Sequence, residues 1–153
     1  MASFKKILKE KGYKSIKFKF TKTNHLEIKA KINNIEGNFI LDTGASSTCV
    51  GIDSISYFDL LPEDSDIKAA GAGASNMLTQ ISQKNRIEIS GWKKKKADLV
   101  LFDLRHVNEA LLQHDAEKVH GIIGADILKK GKAIIDYKSK NLFPSKSVKL
   151  NLA

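Results

Sequence analysis

Asn38-Phe39-Ile40-Leu41-Asp42-Thr43-Gly44-Ala45-Ser46 is a short apolar run that ends on an acid. Phe39 to Leu41 reads as a buried strand, and Asp42 stands where the chain leaves the core, ahead of a turn of small residues. An aspartate there can cap the turn through its own carboxylate, which is a common use. On Asp42-Thr43-Gly44 alone that is the simpler reading. The choice between a capping acid and a chemical one rests on the surrounding chain.

Upstream, Ile16, Phe18 and Phe20 alternate with Lys17 and Lys19, while Leu26, Ile28, Ala30 and Ile32 alternate with Glu27, Lys29 and Lys31. This pattern predicts half-buried strands over 15–20 and 24–32, with the charges on the wet face. Asn33 to Gly37 supplies a turn before the Asn38–Leu41 strand. Asp53 to Leu61 is expected to hold a short helix stopped at Pro62. Ile67–Ala70 and Met77–Ile81 read as two arms flanking Gly71-Ala72-Gly73-Ala74-Ser75. Arg86–Ile89 and Ala97–Phe102 make two further strands around a turn at Trp92. From Asp103, a plausible N-cap, Leu104, Val107 and Leu111 fall on one helical face. Then come the strand Gly121–Ile123, a short helix through Ile127 and Leu128, the strand Ala133–Tyr137 and a last strand Val148–Leu152. Short strands separated by turn signals, with one or two small helices, predict a mainly β barrel or sandwich.

The 153 residues are one domain's worth of chain. Apolar residues make up 42% and are spread evenly among mixed charges, which excludes intrinsic disorder. Cys49 is the only cysteine, so no disulfide framework and none of the commonest zinc-finger patterns can form within the chain. No apolar run approaches the roughly 20 residues of a membrane span. Residues 1–14 have positive charge but no apolar stretch or small-residue cleavage site, so they read as an N-terminal extension to a domain over 15–153 rather than a secretory signal. The expected location is cytoplasmic. The net charge of +9 raises nucleic acid as a partner. The alternation of the lysines, and the position of Lys93–Lys96 directly after Ser90-Gly91-Trp92, favour a lysine-rich soluble surface with no dedicated nucleic-acid site.

Phe39 to Ser46 resembles the active-site segment of the retropepsin-like aspartic proteases, in which apolar residues precede Asp-Thr-Gly-Ala/Ser. His120-Gly121-Ile122-Ile123-Gly124-Ala125-Asp126-Ile127-Leu128 resembles that family's second hallmark, and Ile134-Ile135-Asp136-Tyr137 the strand after it. The glycine-bearing segment 69–75 falls between the hallmarks, where the family carries its flap. The resemblance spans about residues 24–143, with the motifs in the family's order. It implies a closed β-barrel of the acid-protease type. It also implies an aspartic endopeptidase acting without metal or cofactor on an extended polypeptide.

The chemistry behind that expectation stands on its own. Peptide hydrolysis without a metal needs an activated water and an acid for the leaving amine, and two carboxylates sharing one proton supply both. One Asp-Thr-Gly per chain makes a symmetric homodimer the natural way to bring two Asp42 carboxylates together. The dyad, rather than either residue, would then own the titration. By the resemblance, Thr43 would hold the two loops together and Gly44 would permit a tight turn and close approach of substrate. Ala45 and Ser46 would line the cleft. Ala70, Gly71, Ala72, Gly73, Ala74 and Ser75 would form a flap that adds main-chain hydrogen bonds to the substrate. Ile123, Gly124 and Asp126 would buttress the active-site loop. Ser46 and Ala125 stand where viral enzymes carry an Asp and an Arg that form an ion pair, which points to the bacterial and cellular branch. A non-catalytic peptide-binding module of the same fold is the alternative.

Other candidates carry less. Gly71 to Asn76 lacks the third glycine of a dinucleotide loop and no helix pattern follows it. His25, His106, His114 and His120 lack the tight spacing of metal ligands and are read as surface residues. Cys49 has no base identified beside it and reads as a small buried hydrophobe.

Overall fold

The computed structural model of the protein describes residues 3–71 and 74–146, with the backbone course alone for 66–78. In chain order the elements are α1 (Phe4–Glu10), β1 (Ile16–Lys17), β2 (Lys19–Phe20), β3 (Leu26–Ile32), β4 (Ile35–Leu41) and β5 (Cys49–Gly51). A 3-10 turn at Ile52–Ser54 precedes β6 (Glu63–Gly71), β7 (Ala74–Ile89) and β8 (Trp92–Phe102). Then follow α2 (Arg105–Gln113), β9 (Gly121–Ile123), α3 (Ala125–Lys130), β10 (Ile134–Asp136) and β11 (Asn141–Phe143).

β3 pairs with β4, β4 with β9, β9 with β5, β5 with β8 and β8 with β7. β7 returns to β3 through Lys31↔Glu88 and Ile32↔Ile87. That last pairing closes six strands into the expected barrel. β9 and the ends of β4 and β8 are apolar on both faces for a visible reason. Phe39, Leu41, Leu99, Leu101 and Ile123 belong to the barrel core, whereas their neighbours Ile40, Val100, Phe102 and Ile122 pack outward against Leu104 and Leu111 at and on α2. A strand covered on both sides gains from a continuous apolar run rather than an alternating one.

Several local expectations need correction. The stretch 15–20 is not one strand: it divides at buried Phe18, with β1 pairing to β11 and β2 to β3. β3 starts at Leu26, because Asn24 turns the chain at φ 63°. The turn before β4 is two residues, Asn33 and Asn34 at φ 52° and 71°, so Ile35 already pairs with Ile32. Paired positive φ values match the twist of a hairpin, and asparagine tolerates them. Glu27 is not on a wet face. It is 4% exposed and its carboxylate meets Lys19 Nζ at 3.3 Å, so the barrel wall buries one charge against a neighbouring strand's lysine.

The helix expected over 53–61 is a 3-10 turn and a run of turns, because fully buried Phe58 and left-handed Asp59 pull the chain back into the core. The arms of the central hairpin are longer than expected, and β7 runs unbroken through the expected strand 86–89, absorbing irregular register at Ser82, Asn85 and Ile87. The described residues hold three α-helices rather than one or two. The additional one, α1, has a sequence signal: Ser3 Oγ accepts the Lys6 N–H at 3.1 Å, and Leu8 is its buried residue. Asp103 stands one residue before the α2 cap, where its carboxylate accepts the Arg105 N–H and pairs with the Arg105 guanidinium, which holds it below the usual carboxylate range. Among the described residues no helix is long and apolar enough to cross a membrane. The expected strand over 148–152 lies outside the described residues.

His120 is also not a plain surface residue. It is half-buried, stacks on Tyr57 at 5.0 Å, and its Nδ1 accepts the Asn38 N–H at 3.0 Å. Burial lowers its pKa, with Lys118 and Lys29 pushing the same way and Asp53 opposing. The unfolded chain therefore takes up this proton first, so the stability that neutral His120 contributes is whole above the ordinary histidine value of about 6.5 and is lost as pH falls through the lower folded value. The urea midpoint should fall between about pH 7.5 and about pH 5, and His120→Asn, which keeps an acceptor but does not titrate, should show a smaller fall. An equal fall in both proteins would remove His120 as the cause.

Candidate active site

β4 runs parallel to β9, with Phe39 opposite Gly121 and Leu41 opposite Ile123, and the ladder carries on into the loop where the Asp42 N–H donates to the Ile123 carbonyl at 3.0 Å. Asp42 is thus placed by the barrel wall, and its side chain is half-buried at the wall's end. Its Oδ1 accepts the Gly44 N–H at 2.9 Å, and its own carbonyl accepts the Ala45 N–H at 3.1 Å. The capping aspartate anticipated on general grounds is therefore real, and it leaves the second carboxylate oxygen without a bond of this kind to the turn. Gly44 does not need a left-handed backbone here, because the only positive-φ glycines among the described residues are Gly12 and Gly91. What favours glycine at 44 is proximity: a Cβ would sit 3.3 Å from Asp42 Oδ1.

The loop is tied from behind by the second hallmark. The Ala125 N–H donates to the Ala45 carbonyl at 2.7 Å, and Gly124 lies against that carbonyl and the backbone of Ser47. Thr48, fully buried, joins the two segments. Its Oγ1 donates to Asp126 Oδ1 at 2.7 Å and accepts the Gly124 N–H at 3.0 Å, while its own N–H donates to Asp126 Oδ2 at 3.1 Å. Sequence reasoning singled out Asp126 and Gly124 but missed Thr48; a hydroxyl at the mouth of the apolar strand Cys49–Gly51 was the available signal. Thr48→Val keeps the shape but strands the buried Gly124 N–H and removes one of the two donors to Asp126 Oδ1, leaving it the Ile127 N–H at 2.8 Å. It should cost about 2 kcal/mol, whereas Thr48→Ser should cost less than half of that. Chemical denaturation of the two variants checks this, and equal loss would mean that the methyl rather than the hydroxyl matters.

The other site residues fall where the loop puts them. Thr43, Gly44 and Ser46 are exposed, and Ala45 is half-buried against the outer apolar cluster. Thr43 borders an open groove with Ala125, Leu128, Lys129, Lys132 and Ala133. Ala70, Gly71, Ala74 and Ser75 lie on the β6–β7 hairpin, whose last pair is Gly71↔Ala74; Ala72 and Gly73 lie outside the described residues. Cys49 sits close by in β5, where burial first, then Asp126 and Asp42, push its thiol up to about 12. A thiol so far from ionising is no nucleophile.

A pocket of about 300 Å³ opens beside Asp42. Its apolar surface comes from Ile40, Ile122 and the α2 residues Val107, Ala110 and Leu111, and Thr23, His25 and His106 supply its polar groups. α2 is held there by Asn108, whose side chain exchanges hydrogen bonds with Val119 at 3.1 and 2.8 Å. None of these pocket residues except Asp42 was foreseen as part of the site. Among the described residues no three His, Cys, Asp or Glu side chains stand close enough to hold a metal ion.

A family model for aspartyl proteases matches residues 28–127, which include the Asp42 loop and the Gly124–Asp126 segment. The chain belongs to the aspartyl protease family. The fold of this aspartyl protease family member is similar to the retropepsin-like aspartic protease from Rickettsia conorii, with a TM-score of 0.60, 17% identity, and coverage of 86% of this chain and 89% of that one. It is also similar to the retroviral protease-like domain of Ddi1 from Leishmania major, with a TM-score of 0.52, 16% identity, and coverage of 84% and 91%. No curated protein matches the sequence significantly. The retropepsin-like barrel expected from the two hallmarks is therefore the fold.

Proposed function

We propose that the protein is an aspartic endopeptidase whose catalytic pair is Asp42 from each of two copies in a symmetric homodimer. The observation that carries this reading is the Asp42 carboxylate itself. It is half-buried at the end of β4, oriented by the Gly44 N–H, backed by Thr48 and Asp126, and placed beside an apolar pocket.

One carboxylate cannot both remove a proton from water and supply one to the peptide in the same step. Two that share a proton can, since like charges so close do not both ionise. The ionised partner takes a proton from water as its oxygen bonds to the peptide carbonyl carbon. The protonated partner gives its proton to the carbonyl oxygen, forming a tetrahedral diol. A proton then passes to the amide nitrogen, the C–N bond breaks, and a carboxylic acid and an amine leave. Thr43, exposed beside the groove lined by Ala125 and Leu128, would face the second copy. The β6–β7 hairpin would close over an extended polypeptide and offer backbone hydrogen bonds to it.

A dyad split between two chains makes activity depend on concentration. Cleavage of an unstructured polypeptide per mole of protein should fall in proportion to concentration once dilution passes the dimer dissociation constant. Sedimentation should show the dimer fraction falling over the same range. Activity in a protein that stays strictly monomeric would sink the shared-site reading.

A further inference from the structure

The polar end of the pocket beside Asp42 has a defined hydrogen-bonding sense. Thr21 Oγ1 accepts two backbone N–H groups, from Thr23 at 3.3 Å and His25 at 3.1 Å. With both lone pairs taken, its hydroxyl hydrogen is the one that bridges the 2.8 Å to Thr23 Oγ1. Thr23 Oγ1 lies 2.6 Å from His25 Nδ1, and the chain of hydroxyls runs in one direction when Thr23 donates its own hydrogen to that nitrogen. An accepting Nδ1 in a neutral ring leaves the proton on Nε2. Thr21, Thr23 and His25 all sit in one tight turn, with the Thr21 N–H donating to the His25 carbonyl at 2.8 Å, so the ring is held by a short, local network. In that arrangement His25 offers an N–H donor to the pocket it lines, and His106 is a second imidazole there.

We propose that this pocket selects one substrate side chain with an aliphatic stem and an uncharged acceptor at its end, a glutamine-like carboxamide, and that His25 is the residue that sets the preference. The inference rests on the reading of Asp42 as the reacting carboxylate, which places the pocket next to the bond that is cut. Ile40, Ile122, Val107 and Leu111 suit the stem. The donor on Nε2 suits a carbonyl oxygen, and an apolar tip would leave it to water alone. Glutamate offers acceptors as well, but Asp42 lines the same pocket, and its carboxylate repels a second negative charge there. Because the rim is open to water, the preference is modest rather than absolute.

The test compares peptides that differ at one position in glutamine, methionine, which has the same length without the acceptor, or glutamate. The glutamine-to-methionine ratio is read twice: as kcat/KM on the parent, and as Kd on Asp42→Asn protein, which binds without cutting. His25→Leu should lower the ratio about 10-fold in both readings, as expected for one hydrogen bond, and His25→Gln, which keeps an N–H donor, should restore part of it. Thr23→Val should lower it less and should shift the His25 ring nitrogen resonances away from the Nε2–H tautomer, which a merely structural threonine would not do. A ratio unchanged by His25→Leu in either reading overturns the proposal, as does the absence of any peptide binding. A His25-dependent ratio in binding with no cleavage by the parent would uphold the pocket assignment and overturn the proteolytic reading instead.

Discussion

Under the proposed dyad, Asp42→Asn should lower peptide cleavage by roughly 10⁴-fold or more without unfolding the protein or preventing dimerisation, because acid and base roles would be lost together. The substitution is mild in structure. An asparagine Oδ1 can still accept the Gly44 N–H that Asp42 Oδ1 accepts at 2.9 Å, so the turn keeps its shape. What disappears is the proton that the proposed dyad would share. A second consequence follows from symmetry. When Asp42→Asn protein is added in excess to the parent, mixed dimers form with one carboxylate each, and activity should fall well below that of the parent alone. Circular dichroism and sedimentation establish that the variant is intact; a peptide assay before and after mixing reads the effect. Parent-like turnover by the purified variant would end the mechanism proposed for Asp42.

Gly124→Ala should be a damaging substitution directly behind the Asp42 loop. An added Cβ would lie 2.7 Å from the Ala45 carbonyl oxygen and 2.8 Å from the carbonyl carbon and oxygen of Ser47. All three are backbone atoms, so no side chain can swing away to make room. Relief comes only by driving β9 off the active-site loop, which strains the Ala125 N–H to Ala45 carbonyl bond and the Gly124 N–H to Thr48 Oγ1 bond. Overpacking of this kind should cost about 3 kcal/mol, which lowers Tm by roughly 6–12 °C for a chain of this size. Cleavage should fall further than the folded fraction does, because the displaced loop carries Asp42. Calorimetry beside a peptide assay separates the two effects, and a Tm within about 2 °C of the parent would show that the loop has more room than the geometry gives it.

Much of the fold was legible because its signals are short. Alternation located the neighbourhood of β1 to β3, Ser90-Gly91 marked the β7–β8 turn with Ser90 at φ 45° and Gly91 at φ 92°, and the Leu104, Val107, Leu111 spacing located α2. The errors are also physical. Alternation placed Glu27 outside, yet Lys19 on the neighbouring strand lets the barrel wall bury it. By the resemblance Gly44 was expected to permit a tight turn, while the structure makes the glycine matter by its closeness to Asp42. The helix pattern over 53–61 gave way to Phe58, whose burial in the core outweighs a weak local preference.

The candidate site divides along the same line. Asp42, its turn and the Gly124-Ala125-Asp126 segment were readable because each is a short motif that resembles the hallmarks of the retropepsin-like family. Thr48, and the pocket built by Ile40 with His25, His106 and Leu111, were not. Sequence alone determined the order of strands and turns and the identity of the acid at the end of β4, since period and turn chemistry act over a few neighbouring residues. Only the tertiary structure decided what stands behind and beside that acid. Thr48 meets Gly124 across 76 positions and His120 meets Asn38 across 82, and such pairs come within bonding distance only once β4 and β5 have both paired with β9.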